Sequence, residues 1–211
     1  MIEIKYSLNS FVPSDNPDDY VYDIKGDIYW SEIDDTGKEI YQKVGTLSAY
    51  FVDIVSAMND KVSFLDVMDA HSDNVYRYYE LLIDKKENDY KDDLIEGQER
   101  PSNFNLLIID RIEITPKYRG RNIGFAAISN LIKVFGHSCG YVAAESFPLQ
   151  FEAGNAKNEL SEDKELAILK LKNYYSKLGF KNIKGTDFML LNLDYFNPPK
   201  VELVDEKFEV I

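Results

Sequence analysis

Ile109-Asp110-Arg111-Ile112-Glu113-Ile114-Thr115-Pro116-Lys117-Tyr118-Arg119-Gly120-Arg121-Asn122-Ile123-Gly124 reads as a strand that enters a tight glycine turn and hands over to a helix. Leu106 to Ile109 are continuously apolar, and Ile112 and Ile114 then alternate with polar residues. Pro116 cannot donate to a sheet ladder, so the strand is expected to end at Thr115. Beyond the turn, Ile123, Ala127, Leu131 and Val134 recur at helical spacing, which predicts a helix over 125–135 stopped by Gly136. A helix entered this directly leaves its first amides open, and open amides with the helix dipole make an anion site. Gly120 and Gly124 present no side chain against a phosphate. The chain has a formal net charge of −13, yet no Asp or Glu lies between Glu113 and Glu145, where Lys117, Arg119, Arg121 and Lys133 fall. This cationic island points to a bound polyanion. The plainer reading is a strand-turn-helix corner with solvated arginines.

A Walker loop would need Lys-Ser or Lys-Thr after its last glycine, where Phe125 stands, and the dinucleotide fingerprint is also absent. The stretch instead resembles the acyl-CoA loop of the GNAT superfamily of N-acyltransferases. Arg119, Ile123 and Gly124 fit the loop pattern, and Ile112-x-Ile114-x-Pro116 fits the strand before it. Asn122 stands where the first motif glycine is expected, and Asn is the non-glycine residue most tolerant of left-handed backbone. Tyr175-Ser176-Lys177-Leu178-Gly179-Phe180 is similar to the Tyr-x-x-x-Gly-Phe signature of the same superfamily, in family order, at the end of a helix expected from about Glu162 to Gly179. The resemblance covers about residues 105–196 and implies a mixed α/β (α+β) fold. Its sheet would be mostly antiparallel and twisted, with flanking helices and a splayed central strand pair.

The rest of the 211 residues is read as part of the same domain. In that reading 1–104 is a divergent acceptor-side half, 105–196 the acyl-CoA core and 197–211 a C-terminal strand or tail. Alternation at Ile2, Ile4, Tyr6 and Leu8, again over Tyr20 to Trp30, and a β-rich run from Ile40 to Ile54 predict an antiparallel meander over 1–55. Asp34-Asp35-Thr36-Gly37 supplies a hairpin turn, and Pro13 to Asp19 is a turn-rich acidic loop. Val62, Leu65, Met68, Val75, Tyr78, Tyr79, Leu82 and Ile83 predict a helical segment broken near His71-Ser72-Asp73, where Ser72 or Asp73 caps a second helix. Family members commonly place their first helices before the hairpin; here they follow it. Residues 84–103 are charged and read as a mobile connection. Tyr141 to Glu145 is expected as a short strand, Phe151 to Asp163 as a loop, Phe188 to Phe196 as the returning strand and Val201 to Val210 as a further one. No apolar run approaches the roughly 20 residues of a membrane span. Cys139 is the single cysteine, His71 and His137 the only histidines, and the chain reads as cytoplasmic and metal-free.

The resemblance implies acetyl-CoA, or another acyl-CoA, as co-substrate. Ile112 and Ile114 would meet the pantetheine arm through their backbone groups. The amides of Gly120, Arg121, Asn122, Ile123 and Gly124 would take the pyrophosphate, with Arg119 and Arg121 adding charge. Tyr175 would protonate the departing thiolate as general acid. Asp110 is the first candidate base and Glu145 the second, with Glu113 nearby; each is also readable as a surface carboxylate or a salt-bridge partner of Arg111. The family often carries an Asn seven residues before the tyrosine, where this chain has Ile168. The expected partner is a small-molecule or peptide amine, drawn as a cation to an acidic chain in which Asp15, Asp18, Asp19, Asp34 and Asp35 crowd the front half. Neither nucleic acid nor membrane is expected, and a homodimer is admitted. The alternative reading is a GNAT-fold module that binds acyl-CoA without turnover, and a third is an anion-binding α/β scaffold.

Overall fold

The computed structural model describes residues 1–10, 16–33, 36–151, 161–195 and 199. In chain order the elements are β1 (Ile2–Asn9), β2 (Val21–Ile33), β3 (Glu39–Val52), α1 (Ile54–Asn59), α2 (Phe64–His71), α3 (Asp73–Leu82), β4 (Ile83–Asp84), β5 (Asp89–Tyr90), β6 (Leu106–Ile114), α4 (Ile123–Phe135), β7 (Tyr141–Glu145), α5 (Ser161–Lys177), β8 (Lys181–Asn182) and β9 (Phe188–Asn192). Seven strands form one sheet in the order β1-β2-β3-β6-β7-β9-β8, and every neighbouring pair is antiparallel except β6 with β7. This mixed, mostly antiparallel sheet with flanking helices is the fold class expected from the resemblance.

Strand alternation divides the core in two. Leu107, Ile109, Val142, Ala144 and Leu191 face α4 and α5, and pack with Ile123, Ala127, Leu131, Tyr175 and Leu178. Leu106, Ile108, Tyr141, Ala143 and Leu190 face the other way, against Phe64, Met68, Val75, Tyr78 and Leu82 of α2 and α3. The sheet therefore lies between two helical layers.

The meander over β1 to β3 is as expected, but its last strand ends earlier than Ile54. Asp53 accepts a hydrogen bond from the Ser56 amide at 3.1 Å and starts α1 there. Ser63 and Ser72 cap α2 and α3 in the same way, so the break at His71-Ser72-Asp73 is a cap-to-cap junction. The stretch 84–103 is packed rather than mobile. Arg100 reaches Glu87 at 2.6 Å, Asp89 at 2.8 Å and Asp92 at 2.9 Å, while Tyr90, Leu94 and Ile95 are buried. One guanidinium thus ties together three carboxylates of a segment whose composition reads as solvated loop. The returning strand ends at Asn192, earlier than Phe196. The turn residues Asp34 and Asp35, most of the loop expected over 151–163, and the strand expected over 201–210 lie outside the described residues.

Tyrosines 6, 78, 90, 141, 174 and 175 have their hydroxyl pKa raised far by burial, Tyr141 and Tyr175 to about 12. An unfolded chain ionises its phenols near pH 10, while the folded chain keeps these protons. The native state then holds more protons, so stability falls as pH rises from about 10 through the folded values. The urea midpoint is expected to fall steadily from about pH 10, with tyrosinate absorbance appearing together with unfolding. Absorbance that develops fully while the fold is intact would contradict this burial.

Candidate functional site

Parallel pairing of β6 with β7 stops at Ile109↔Ala144, yet β6 continues to Ile114 beside β3. At the point where the pair parts, the β3–β6 register slips: Ser48 lies opposite Arg111 and Ala49 opposite Ile109, which leaves Asp110 as the extra residue of a bulge. A bulge re-aims the side chains on its strand. Leu107 and Ile109 face the α4 side before it, and Ile112 and Ile114 pack on that same side after it, a step of three instead of two. Thr115 donates its amide to the Val44 carbonyl at 2.8 Å, so by strand alternation the backbone groups of Ile112 and Ile114 point away from β3, into the opening. The Ile114 carbonyl accepts from Arg119 Nε at 2.9 Å on that open side.

The opening widens into a cleft of about 1110 Å³. One wall is β6 from Asp110 to Ile114, the floor is the turn with Gly120, Asn122, Ile123 and Gly124, and α5 contributes Lys170, Leu171, Tyr174 and Tyr175. The turn has the left-handed backbone its sequence suggests. Gly120 has φ 81°, and Asn122 has φ 59° and ψ 15° at the N-cap of α4. Asn can therefore occupy the position where the loop pattern has glycine. Helices α1 to α3 each begin on a capping side chain, whereas α4 has no side-chain cap hydrogen bond. Its first amides face the cleft without that satisfaction. Arg119 stands beside them. Beyond Nε, its guanidinium has no protein partner among the described residues.

Arg121 is placed differently from expectation. Its side chain is buried, with its guanidinium 5.6 Å from the Trp30 ring, 5.2 Å from the Tyr118 ring and 3.6 Å from Glu32. The turn rotates it towards β2, so its charge is spent on Glu32 and the aromatic faces; only its amide remains at the turn. Lys170, which no motif marks, lines the cleft from α5.

Tyr174 and Tyr175 both line the cleft, and neither hydroxyl has a hydrogen-bond partner among the described residues. Tyr175 packs on Phe180 within the core at the end of α5, where Leu178, Gly179 and Phe180 turn the chain back towards the sheet. Gly179 has φ 93° there. Tyr174 lies across α4: its ring meets Phe125 edge-on at 4.3 Å, and its hydroxyl is 2.6 Å from where a Cβ on Gly124 would stand. Gly124 thus admits the Tyr174 hydroxyl to the head of the helix.

A second cavity, of about 350 Å³, opens on the opposite face of the sheet and shares Asp110, Arg111, Glu145, Phe147 and Leu149 with the cleft. Its outer wall is Asn74, Arg77 and Tyr78 of α3, of which the sequence reading names only Tyr78, as part of the helical stripe. Asp110 Oδ2 accepts from Ser48 Oγ at 2.7 Å, and Oδ1 has no protein partner among the described residues. Glu145 Oε1 accepts from Arg77 at 2.7 Å. Glu113 is paired with Arg111 at 2.7 Å, the ion pair weighed as its plainer role. The buried Tyr78 hydroxyl is raised first by burial and then by Glu145, Tyr175 and Asp110, which gather around it from both faces. Cys139 is buried away from this gap, its thiol pushed up to about 12 by burial. No group of three or more His, Cys, Asp or Glu able to hold a metal occurs among the described residues, and none of their helices is long and apolar enough to cross a membrane.

No protein-family model and no curated protein matches the chain. Among solved structures it is similar to Arabidopsis thaliana NAA60 in complex with acetyl-CoA, at 13% identity over 82% of this chain and 77% of that one, with a TM-score of 0.40. It is also similar to AtaTR bound with AcCoA, at 10% identity over 82% and 72% with a TM-score of 0.39. A point mutant of KacT aligns at 10% identity over the same shares, with a TM-score of 0.41. Likeness this distant leaves the chain's own cleft as the ground for its function.

Proposed function

We propose that the chain is an N-acyltransferase that moves an acetyl or other short acyl group from acyl-CoA to a primary amine. The observation that carries this reading is the parting of β6 and β7 at a bulged Asp110, which joins an anion-ready cleft on one face to a carboxylate-bearing cavity on the other. The open amides at the head of α4, with Arg119, suit a pyrophosphate. The outward-facing backbone groups of Ile112 and the outward-facing amide of Ile114 suit an amide-bearing arm that extends a strand edge. The thioester would then lie in the gap, with Tyr175 on one side and Asp110 on the other.

Asp110 draws the acceptor's ammonium and takes its proton through Oδ1. The amine lone pair attacks the thioester carbonyl, the carbon–sulfur bond breaks, the thiolate takes the Tyr175 proton, and the second nitrogen proton passes through water to the Tyr175 phenolate, leaving a neutral amide and a free thiol. Glu145 is held on Arg77, which makes it the weaker candidate base. As regards organisation, the continuous sheet supports reading 1–104 and 105–196 as acceptor-side and donor-side parts of one unit.

Free-thiol release from acetyl-CoA with a panel of primary amines tests this, alongside calorimetric titration with CoA. Thiol release that depends on the amine is expected. CoA binding without release from any amine would leave the alternative, an acyl-CoA-binding module; no CoA binding would leave only an anion-binding scaffold.

A further inference from the structure

The cavity behind the gap is not shaped for a polycation. Of the front-half acidic residues named above, Asp18 and Asp19 are described and neither lines it; Asp18 is bound to His71 at 2.5 Å. Around the cavity, Glu145 is paired with Arg77 and Arg111 with Glu113, which leaves Asp110, among the described residues, as the carboxylate held by a neutral hydroxyl alone. The open oxygen of Asp110 and the open N–H groups of Arg77 lie on different sides. Asp110 sits on the bulge where the cleft and cavity meet, whereas Arg77 stands on α3 at the outer wall.

Arg77 is built into place. Its guanidinium lies 5.2 Å from the Phe188 ring and one terminal nitrogen holds Glu145 at 2.7 Å, yet its other N–H groups have no protein partner among the described residues. A guanidinium stacked on an aromatic face and oriented by one carboxylate keeps a fork that suits a second carboxylate. Asn74 and the Tyr78 hydroxyl add uncharged polar groups to the same wall. A cavity of about 350 Å³ is at the lower end of small-ligand sites, which run from roughly 300 to 1,000 Å³.

Resting on the acyl-transfer reading, we propose that the acceptor is a small amino-carboxylate: a free amino acid or close relative. Its ammonium would lie on Asp110 and its carboxylate on Arg77. This replaces the cation drawn by the overall charge with a zwitterion read by two residues on opposite sides of one cavity.

Matched acceptors test it: a panel of free amino acids, each against its amide and its decarboxylated amine, with acetyl-CoA as donor. Removing the carboxylate is expected to lower kcat/KM by about tenfold, the effect of losing one charge-assisted contact. Arg77→Gln should erase the difference between acid and amide, and Arg77→Lys should restore part of it, since Lys keeps the charge but not the fork. Saturation-transfer NMR of the same pairs against the CoA-bound protein reads the cavity without turnover. Equal use of acid and amide, or preference for a polyamine or lysine peptide, with acyl transfer intact, would overturn this proposal alone. Arg77-dependent binding of the amino acids with no acyl transfer to any amine would sustain the cavity's specificity and overturn the catalytic reading.

Discussion

Tyr175→Phe is expected to lower turnover by about 100-fold, the lower end for a lost general acid, while acetyl-CoA affinity changes little. The substitution keeps the ring that packs on Phe180 and removes a hydroxyl with no protein partner among the described residues. Burial raises this phenol to about 12, which makes it a weak acid towards a thiol of ordinary pKa, roughly 8.5. A proton transfer uphill by that margin would cost about 5 kcal/mol. The thiolate, however, would form beside this buried hydroxyl, and burial raises a thiol in the same direction as a phenol. Burial on both sides narrows the difference between donor and acceptor of the proton. Tyr175 then stays protonated through the whole stable range, so kcat should show no alkaline limb below the onset of unfolding near pH 10. Tyr174→Phe separates the two roles. Its hydroxyl lies at the head of α4, so its loss should raise the donor KM by about fivefold, one hydrogen bond's worth, with kcat nearly constant. Equal effects of the two variants on kcat would mean that neither hydroxyl is placed for the sulfur.

Local pattern carried the parts of the site that depend on neighbours in sequence. Pro116, Gly120, Asn122 and Gly124 dictate a turn whatever surrounds them, and the apolar stripe from Ile123 to Leu131 dictates the helix after it. Tyr175 could be found because Gly179 ends its helix at a fixed distance. The bulge at Asp110 is a different kind of fact, since it belongs to the register between β3 and β6. Its trace is present in the sequence: the residues facing α4 run Leu107, Ile109, then Ile112 and Ile114. A parity break of that kind is also what an ordinary buried-to-amphipathic strand would show, so it becomes a bulge only once the partner strand is in place.

Direction was the second thing the residues could not disclose. Arg119 and Arg121 are equivalent in composition, two apart around one glycine, yet one lines the cleft and the other lies on Trp30. The left-handed backbone at Gly120 turns the chain between them, and Trp30 and Glu32 arrive from a strand about 90 residues earlier in sequence. Arg77 and Tyr78 were hidden for the same reason. On α3 they look like one exposed and one core residue; the parting of two distant strands makes them the far wall of the site.

Gly124→Glu is expected to weaken CoA binding by about 30-fold in a folded protein. Two local effects add. A carboxylate at the head of α4 opposes the charge that the open amides favour, worth about 1 kcal/mol, and it covers amides that would otherwise bind the ligand, worth about another 1 kcal/mol. Two kcal/mol is roughly 30-fold. The new Cβ has a cost of its own, because it would stand 2.6 Å from the Tyr174 hydroxyl and the ring must swing off Phe125 to make room. Gly124→Ala isolates that cost: it adds the Cβ without charge, and a loss of only a few-fold, insensitive to salt, is expected from it. The further loss in the Glu variant should depend on ionic strength, as an electrostatic term must. Thermal unfolding of both variants checks that they are folded before titration. Were Gly124→Ala to weaken binding as much as Gly124→Glu, the glycine would serve the seating of Tyr174. Were neither to weaken it, the head of α4 would not be where the anion binds, and the donor side of the proposed reaction would have to be sought elsewhere in the cleft.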